Sequence, residues 1–355
     1  MLTQPANISK ILLNWYNINK RDLPWRETKD PYLIWVSEII LQQTRVNQGL
    51  SYYFKFTEAF PDVISLAESD PEKVMKIWQG LGYYNRAINM ITAAKMVKTR
   101  FNGSFPNNYD SLLSLKGIGK YTAAAIASIS GNEPAATVDG NVIRVLSRLF
   151  GVSNTNSKEF DSKIHKKANE ILSKENPGDH NQAIMEFGAL HCVPTNPSCS
   201  ECILKELCFA FQHNRVSEYP PKKVKIKKKT RYFHFLLVSC KQQTYVQKRG
   251  KNNIWPDLYQ FPMVETENKS NQKTVLKMFK SLLRMPIEKL AISKLSGGFH
   301  HLLTHQIIKG EFYLLEISPE VRLPDTIFLK INKKDIKKLA FPKPLISFIE
   351  KYKMD

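Results

Sequence analysis

The stretch Leu115–Arg144, LKGIGKYTAAAIASISGNEPAATVDGNVIR, decides how the rest of the chain is read. Gly117 and Gly119 flank one apolar residue, Ile118, between a helix-compatible run, Ser111–Leu115, and an alanine-rich run, Tyr121–Ser128. Glycine accommodates the positive-φ turn that folds two short helices into a hairpin, and it lets bare backbone approach a ligand. The second helix turns its free N–H groups and positive dipole end outward, which suits a phosphate, and Lys120 adds a charge beside that turn. After a break at Gly131 and Pro134, Asp139-Gly140-Asn141 opens a further apolar-periodic helix through Val142, Val145, Leu146 and Leu149. A carboxylate at a helix start is helped to stay ionised by the dipole. Taken alone, these features also describe an ordinary hairpin turn and an ordinary helix cap.

Working outward, Asp30-Pro31 has the pattern of an N-cap followed by proline at the first helical position. The helix it starts, Tyr32–Gln43 (YLIWVSEIILQQ), is apolar nearly all round and should be buried. Glu38 is the one charge in its middle. Either it forms a buried structural ion pair, or it is a carboxyl group with a raised pKa, ready to donate a proton. Upstream, residues 7–19 carry Ile8, Ile11, Leu12 and Trp15 at helical spacing, and LPWR (Leu23–Arg26) makes a turn. Helices follow around Val46–Phe60 and Pro71–Gln79; Gly80-Leu81-Gly82-Tyr83-Tyr84 breaks the pattern before a basic amphipathic helix, Asn85–Phe101. Residues 151–187 are mostly helical, and NQAIMEFGAL runs straight into Cys192. No strand pattern precedes about residue 230, so this part reads as all-α.

A chain of 355 residues holds two or three domains, and 43% hydrophobic content is that of a soluble globular protein. Lys plus Arg is 52 against 32 acids, a formal +20, which points to an anionic polymer as partner. No apolar run approaches ~18 residues, and the N-terminus lacks a signal-peptide pattern, so a soluble intracellular protein and no membrane partner are expected. Four of the five cysteines are clustered, Cys192, Cys199, Cys202 and Cys208, with spacing C-x6-C-x2-C-x5-C. A reducing compartment favours a metal site there over two disulfides. Cys240 stands alone in a β-like run and reads as a core thiol.

Residues 213–230 form a basic linker, with seven basic residues between Lys222 and Arg231, either a solvated tether or one that also tracks phosphates. Beyond it the period changes. RYFHFLLVSC and TYVQKR are strand-like, and GKNNIWPDLYQFPMVE is a loop with an aromatic anchor and a strand. Thr274–Leu283 is helical, and HHLLTHQIIKGEFYLLEI alternates as a hairpin, so residues 231–355 read as an α+β domain.

The GxG hairpin with its downstream Asp139 resembles the helix-hairpin-helix, Gly/Pro-Asp superfamily of base-excision DNA glycosylases. The cysteine spacing is similar to that superfamily's four-iron four-sulfur loop, for which thiolates are the soft ligands; four cysteines could also bind zinc. LPWR, WVSEIILQQTRV, QGLGYYNRA, GIGKYTAAAI, VDGNVIR and NQAIMEFGA together resemble the adenine DNA glycosylase (MutY-type) family, closely over residues 7–208 and more weakly over 231–355. The resemblance implies an all-α glycosylase region over 1–212, comprising a helical barrel with the hairpin at 25–130 and a cluster lobe from 1–24 and 131–212. It further implies a Nudix-like lesion-recognition domain over 231–355 and one four-iron four-sulfur cluster on Cys192, Cys199, Cys202 and Cys208.

The same resemblance implies release of adenine mispaired with 8-oxoguanine or guanine in double-stranded DNA, by flipping the nucleotide out of the duplex. Glu38 would protonate the purine at N7, and Asp139 would meet the oxocarbenium charge on the sugar, with Tyr121 and Asn141 orienting Asp139 and the sugar. Trp25, Arg26 and Gln182 match positions lining the adenine pocket. Leu41, Gln42 and Gln43 match residues that fill the gap left by the flipped base, and Tyr83 an intercalating aromatic. Thr44 and Leu81 would touch the opposite base. Thr304-His305 occupies the place of a Ser-His pair that touches the lesion, ahead of His300 and His301, while Leu303 replaces an aromatic that often precedes it. The segment TVLKMFKSLL lacks the glutamates of a Nudix hydrolase, which makes the domain a sensor without hydrolase activity. The related endonuclease III-type lyase carries a lysine where Tyr121 stands, and Lys120, one residue off, should point elsewhere. A monofunctional hydrolase follows, acting as a monomer in the cytoplasm, on the nucleoid if bacterial. The competing readings are a thymine-mismatch or endonuclease III-like glycosylase, opposed by Glu38 and Tyr121, and a cluster-bearing DNA-binding protein without catalysis, opposed by Glu38 and Asp139 together.

Overall fold

The structure, a computed structural model, describes residues 5–153, 157–221, 228–251, 253–283 and 292–352. It divides into two compact units, Met1–Glu68 with Asn89–Val224, and Ser69–Ile88 with Lys225–Asp355. The segment Ser69–Ile88, placed by sequence within the helical region 1–212, thus groups with the C-terminal unit. Residues 222–227 of the basic run lie outside the described residues. No described helix is long and apolar enough to cross a membrane.

The first unit is helical. Its N-terminal elements are α1 (Pro5–Asn19), α2 (Pro31–Leu41), α3 (Val46–Ala59) and α4 (Val63–Glu68). After α5 (Pro71–Trp78), in the second unit, come α6 (Asn85–Arg100), α7 (Tyr109–Leu113), α8 (Lys120–Ser130) and α9 (Gly140–Phe150). They are followed by α10 (Ser157–Ile171), α11 (Pro177–Leu190) and α12 (Phe209–Gln212). One core is built around α2, whose residues from Ile34 to Ile40 are all buried, each large apolar side chain contributing about 1.5–3 kcal/mol. A second joins α1, α9, α10 and α11 through Leu12, Tyr16, Val145, Leu146, Ile164 and Phe187.

The hairpin forms as the glycines suggest, but only Gly117 takes the left-handed turn (φ +81°), and a Cβ there would strike the Asn89 side chain at 2.7 Å. Gly119 is the N-cap of α8 with ordinary backbone (φ −95°). The first helix, read as Ser111–Leu115, is α7, starting at Tyr109 because the Asn108 side chain accepts from Ser111 N at 3.0 Å and caps it there. The helix read to Gln43 stops at Leu41, since Gln43 turns left-handed (φ 56°) and Thr44 N closes a turn onto Leu41 O.

The second unit holds a mixed seven-stranded sheet: β1 (Lys229–Cys240), β2 (Gln243–Lys248), β3 (Tyr259–Gln260), β4 (Met263–Thr266), β5 (Ile292–Leu302), β6 (Gln306–Glu316) and β7 (Leu329–Asn332). The order is β3-β2-β1-β6-β5, with β4 on β1 and β7 on β2. β5 and β6 make the expected hairpin, but β1 pairs with β6 in parallel, a direction that alternation alone does not encode. Helix α13 (Gln272–Leu283) covers one face through Val275, Phe279 and Leu283 against Leu236, Val238, Tyr313 and Leu315. On helix α14 (Lys343–Lys351), Phe348 stacks on Phe312 at 3.7 Å. Helix α5 is held in this unit by Glu72, which accepts from Tyr259 Oη at 2.7 Å and Lys248 Nζ at 3.1 Å, and by Gln79 Oε1, which accepts from Phe341 N at 3.3 Å.

Candidate active site

Helix α2 begins where Asp30 Oδ1 accepts from Tyr32 N at 2.8 Å, with Pro31 supplying its preset φ. Two turns on, Glu38 is 9% exposed, and among the described residues no basic side chain pairs with it. Burial pushes its carboxyl group up to about 7; a hydrogen bond with Tyr121 pulls it back and the charge of Asp139 adds to the rise. Among the described residues this is not a buried ion pair but a carboxyl group able to hold a proton near neutral pH.

Asp139 caps α9. Its Oδ1 accepts from Val142 N at 2.7 Å and its Oδ2 from Asn141 Nδ2 at 2.8 Å. Burial pushes its pKa up, against these hydrogen bonds and Arg144, so the helix start alone does not hold it below the usual carboxylate range. Arg144 in turn donates to Asn141 Oδ1 at 2.9 Å, to Gly188 O at 2.6 Å and to Cys192 O at 2.7 Å. Tyr121 hydrogen-bonds Glu38, and its hydroxyl lies 3.3 Å from Met185 Sδ.

Glu38, Tyr121, Asp139 and Asn141 line one cavity of about 860 Å³, within the range of roughly 300–1,000 Å³ that ligand sites occupy. The same walls carry Trp25, Arg26, Gln182, Leu41, Gln42, Gln43, Thr44, Gly117, Gly119 and Lys120. Lys120, expected to point elsewhere, is exposed yet still borders the cavity. Leu81, Tyr83, Thr304 and His305 belong to the second unit. Leu81 is buried, so a role touching a base is not supported by its 6% exposure. Tyr83 is half exposed rather than core, its backbone is left-handed (φ 47°), and its hydroxyl lies 3.5 Å from Thr304 Oγ1. Left-handed backbone at a non-glycine residue costs about 1–2 kcal/mol, and Gln43 and Tyr83 both carry it. Thr304, His305 and His300 are exposed, whereas His301 sits against Trp255.

Sequence reasoning missed Glu186, a buried wall of the same cavity (1% side-chain exposure). It accepts from Arg21 at 2.6 and 2.8 Å and from Arg26 at 2.8 and 2.9 Å. Burial alone would raise its carboxyl, but these guanidinium bonds bring it down to about 2. The signal was present: a lone acid in the apolar run NQAIMEFGAL has the same pattern as Glu38.

Cys192, Cys199, Cys202 and Cys208 line one small cavity with Arg148. Arg148 Nη1 donates to Cys192 Sγ at 3.3 Å, and Leu204 N to Cys202 Sγ at 3.4 Å. Four soft thiols on one cavity, two of them receiving N–H bonds, fit an iron–sulfur cluster in ligand chemistry. Among the described residues, no three His, Cys, Asp or Glu side chains close on a single metal ion.

Residues 36–173 match the model of the HhH-GPD superfamily of base excision DNA repair proteins, and residues 233–351 match that of the NUDIX domain. Fold and site thus define a helix-hairpin-helix DNA repair protein joined to a Nudix-type domain. The chain is 32% identical over 358 residues to the adenine DNA glycosylase of Buchnera aphidicola subsp. Acyrthosiphon pisum, which spans 97% of both chains. It is 39% identical over 260 residues to that of Buchnera aphidicola subsp. Baizongia pistaciae, over 72% of this chain and 74% of the relative. Among solved structures, a thermostable thymine-DNA glycosylase superposes with a TM-score of 0.54 at 29% identity, covering 59% of this chain and 97% of its own. The chain belongs to the adenine DNA glycosylase family.

Proposed function

We propose that this DNA repair hydrolase releases adenine mispaired with 8-oxoguanine or guanine from double-stranded DNA. The observation that carries the chemistry is the pair of carboxyl groups on one cavity: Glu38, buried without a cation and raised to about 7, and Asp139, held by Asn141 and the start of α9. Glu38 gives its proton to N7 of the everted adenine, making it a leaving group, and the N-glycosidic bond breaks. Asp139 meets the positive charge on the sugar, water adds to C1′, and the proton of that water returns to Glu38. Tyr121, expected to orient Asp139 and the sugar, hydrogen-bonds Glu38 instead and orients that acid; Asn141 holds Asp139, and Trp25, Arg26 and Gln182 line the base pocket.

Leu41, Gln42 and Gln43, where α2 ends, fill the gap in the duplex, Thr44 touches the opposite base, and Gly117, Gly119 and Lys120 meet phosphate. Tyr83 intercalates, and Thr304 with His305 reads the lesion base. This divides the chain into a glycosylase region over 1–212, a tether over 213–230 and a sensor over 231–355. Cys192, Cys199, Cys202 and Cys208 hold one four-iron four-sulfur cluster, which when bound orders residues 192–208. The enzyme works as a monomer in the cytoplasm, on the nucleoid if bacterial.

The deciding test is single-turnover adenine release from a duplex with adenine opposite 8-oxoguanine. Glu38→Gln and Asp139→Asn should each nearly abolish release while duplex binding survives; undiminished release by either variant removes the proposed chemistry. Borohydride should trap no strong covalent adduct. Purified protein should show cluster absorbance that is bleached when any of Cys192, Cys199, Cys202 or Cys208 is replaced.

A further inference from the structure

We infer that Tyr16 is a positioning residue for base recognition: it donates to Gln182 Oε1 and so fixes that amide with Nε2 offered to a ring-nitrogen acceptor of the everted adenine. The inference rests on the adenine glycosylase reading above.

Tyr16 lies on α1, 166 positions before Gln182 in sequence, and its hydroxyl donates to Gln182 Oε1 at 3.1 Å. Both residues are buried, Tyr16 at 2% and Gln182 at 8% exposure, and Gln182 lines the cavity. An amide presents a donor or an acceptor according to a half-turn about its last torsion, and only its fixed partners choose between them. A phenolic O–H buried this deeply must donate, and Gln182 Oε1 is its acceptor here. No acceptor for Gln182 Nε2 is found among the described residues, which leaves that donor for a ligand.

Tyr16 also meets a second residue of the cavity wall, Arg26. The Arg26 guanidinium lies 5.4 Å from the centre of its ring, and the same guanidinium donates to Glu186 at 2.8 and 2.9 Å. Adenine carries ring acceptors at N1, N3 and N7 and a single exocyclic donor. Because N7 receives the Glu38 proton in this reading, a fixed Nε2 reads N1 or N3; a rotated amide would read the amino group instead. Tyr16 therefore sets which edge of the base the pocket recognises.

The test is a double-mutant cycle in single-turnover adenine release by the full chain. Tyr16→Phe keeps the ring over Arg26 and removes only the donor. It should slow release about tenfold, Gln182→Ala at least as much, and the double variant no more than Gln182→Ala alone. The Tyr16→Phe penalty should also vanish on either 1-deazaadenine or 3-deazaadenine, whichever lacks the nitrogen that Gln182 contacts. Gln182→Glu, which leaves Tyr16 an acceptor but offers no donor, should fall as far as Gln182→Ala; this arm holds even if Tyr16→Phe folds poorly. Wild-type rates for Tyr16→Phe or Gln182→Glu, or penalties that multiply in the double variant, would overturn the inference while leaving the glycosylase reading intact. An inactive wild-type protein would overturn both.

Discussion

Glu38 and Glu186 are two acids on two buried helices, both on the wall of one cavity, and their surroundings drive them in opposite directions. Glu186 has two guanidiniums and sits at about 2; Glu38 has none and sits near 7. Burial acts on both in the same sense. The presence or absence of Arg21 and Arg26 makes one a permanent anion and leaves the other able to carry a proton near neutral pH, as the proposed donor must.

The largest way to break this comparison is Glu38→Gln. Removing a general acid should lower adenine release by about 10²–10⁴-fold, measured in single turnover, while thermal stability at pH 8 holds or rises because a costly buried charge is gone. Wild-type release would make Glu38 a bystander. Next is Glu186→Gln, which strands two guanidiniums. It should destabilise the fold by about 3 kcal/mol, at the low end for a broken buried pair because the Arg21 side chain is 35% exposed. Urea unfolding measures this, and an unchanged midpoint would mean the pair does not hold the pocket.

The pH profiles should separate the two acids. A donor raised to about 7 is protonated below that pH, so release should fall about tenfold per unit as pH rises past it. For stability, the folded-state pKa of Glu38 lies above its ordinary value of 4.5, so its favourable contribution is complete below 4.5 and is lost as pH rises towards 7. That of Glu186 lies below 4.5, so its contribution is complete above 4.5 and is lost as pH falls towards 2. Each window is worth roughly 3 kcal/mol, and calorimetry from pH 2 to 8 on the wild type and both Gln variants should show one slope missing in each. The smallest effect is Tyr121→Phe. Its hydrogen bond lowers the Glu38 pKa, so losing it should move the midpoint of the pH–rate profile upward, by less than about one unit; a downward move would contradict the assignment.

Much of the site was legible because chemistry left marks in local pattern. A lone acid in YLIWVSEIIL, a cap at Asp139 and a GxG turn can each be read from a few neighbours. Glu186 bears the same mark as Glu38 in NQAIMEFGAL, but whether such an acid is paired depends on Arg21 and Arg26, 165 and 160 positions away in sequence. Tyr16 was hidden for the same reason, as one core aromatic among many until its hydroxyl met Gln182. In the sheet, alternation marked the strands but could not say that β1 and β6 run in the same direction, because strand direction is set by partners distant in sequence.

Helix α5 carries a consequence for dissecting the molecule. It comes early in the chain, yet Glu72, Lys76 and Gln79 on or just after it take their partners from Tyr259, Lys248, Leu339 and Phe341. Severing the polypeptide in the lysine-rich run before β1 would therefore not yield two self-sufficient halves: the upstream fragment would keep a helix whose binding partners had left with the other piece.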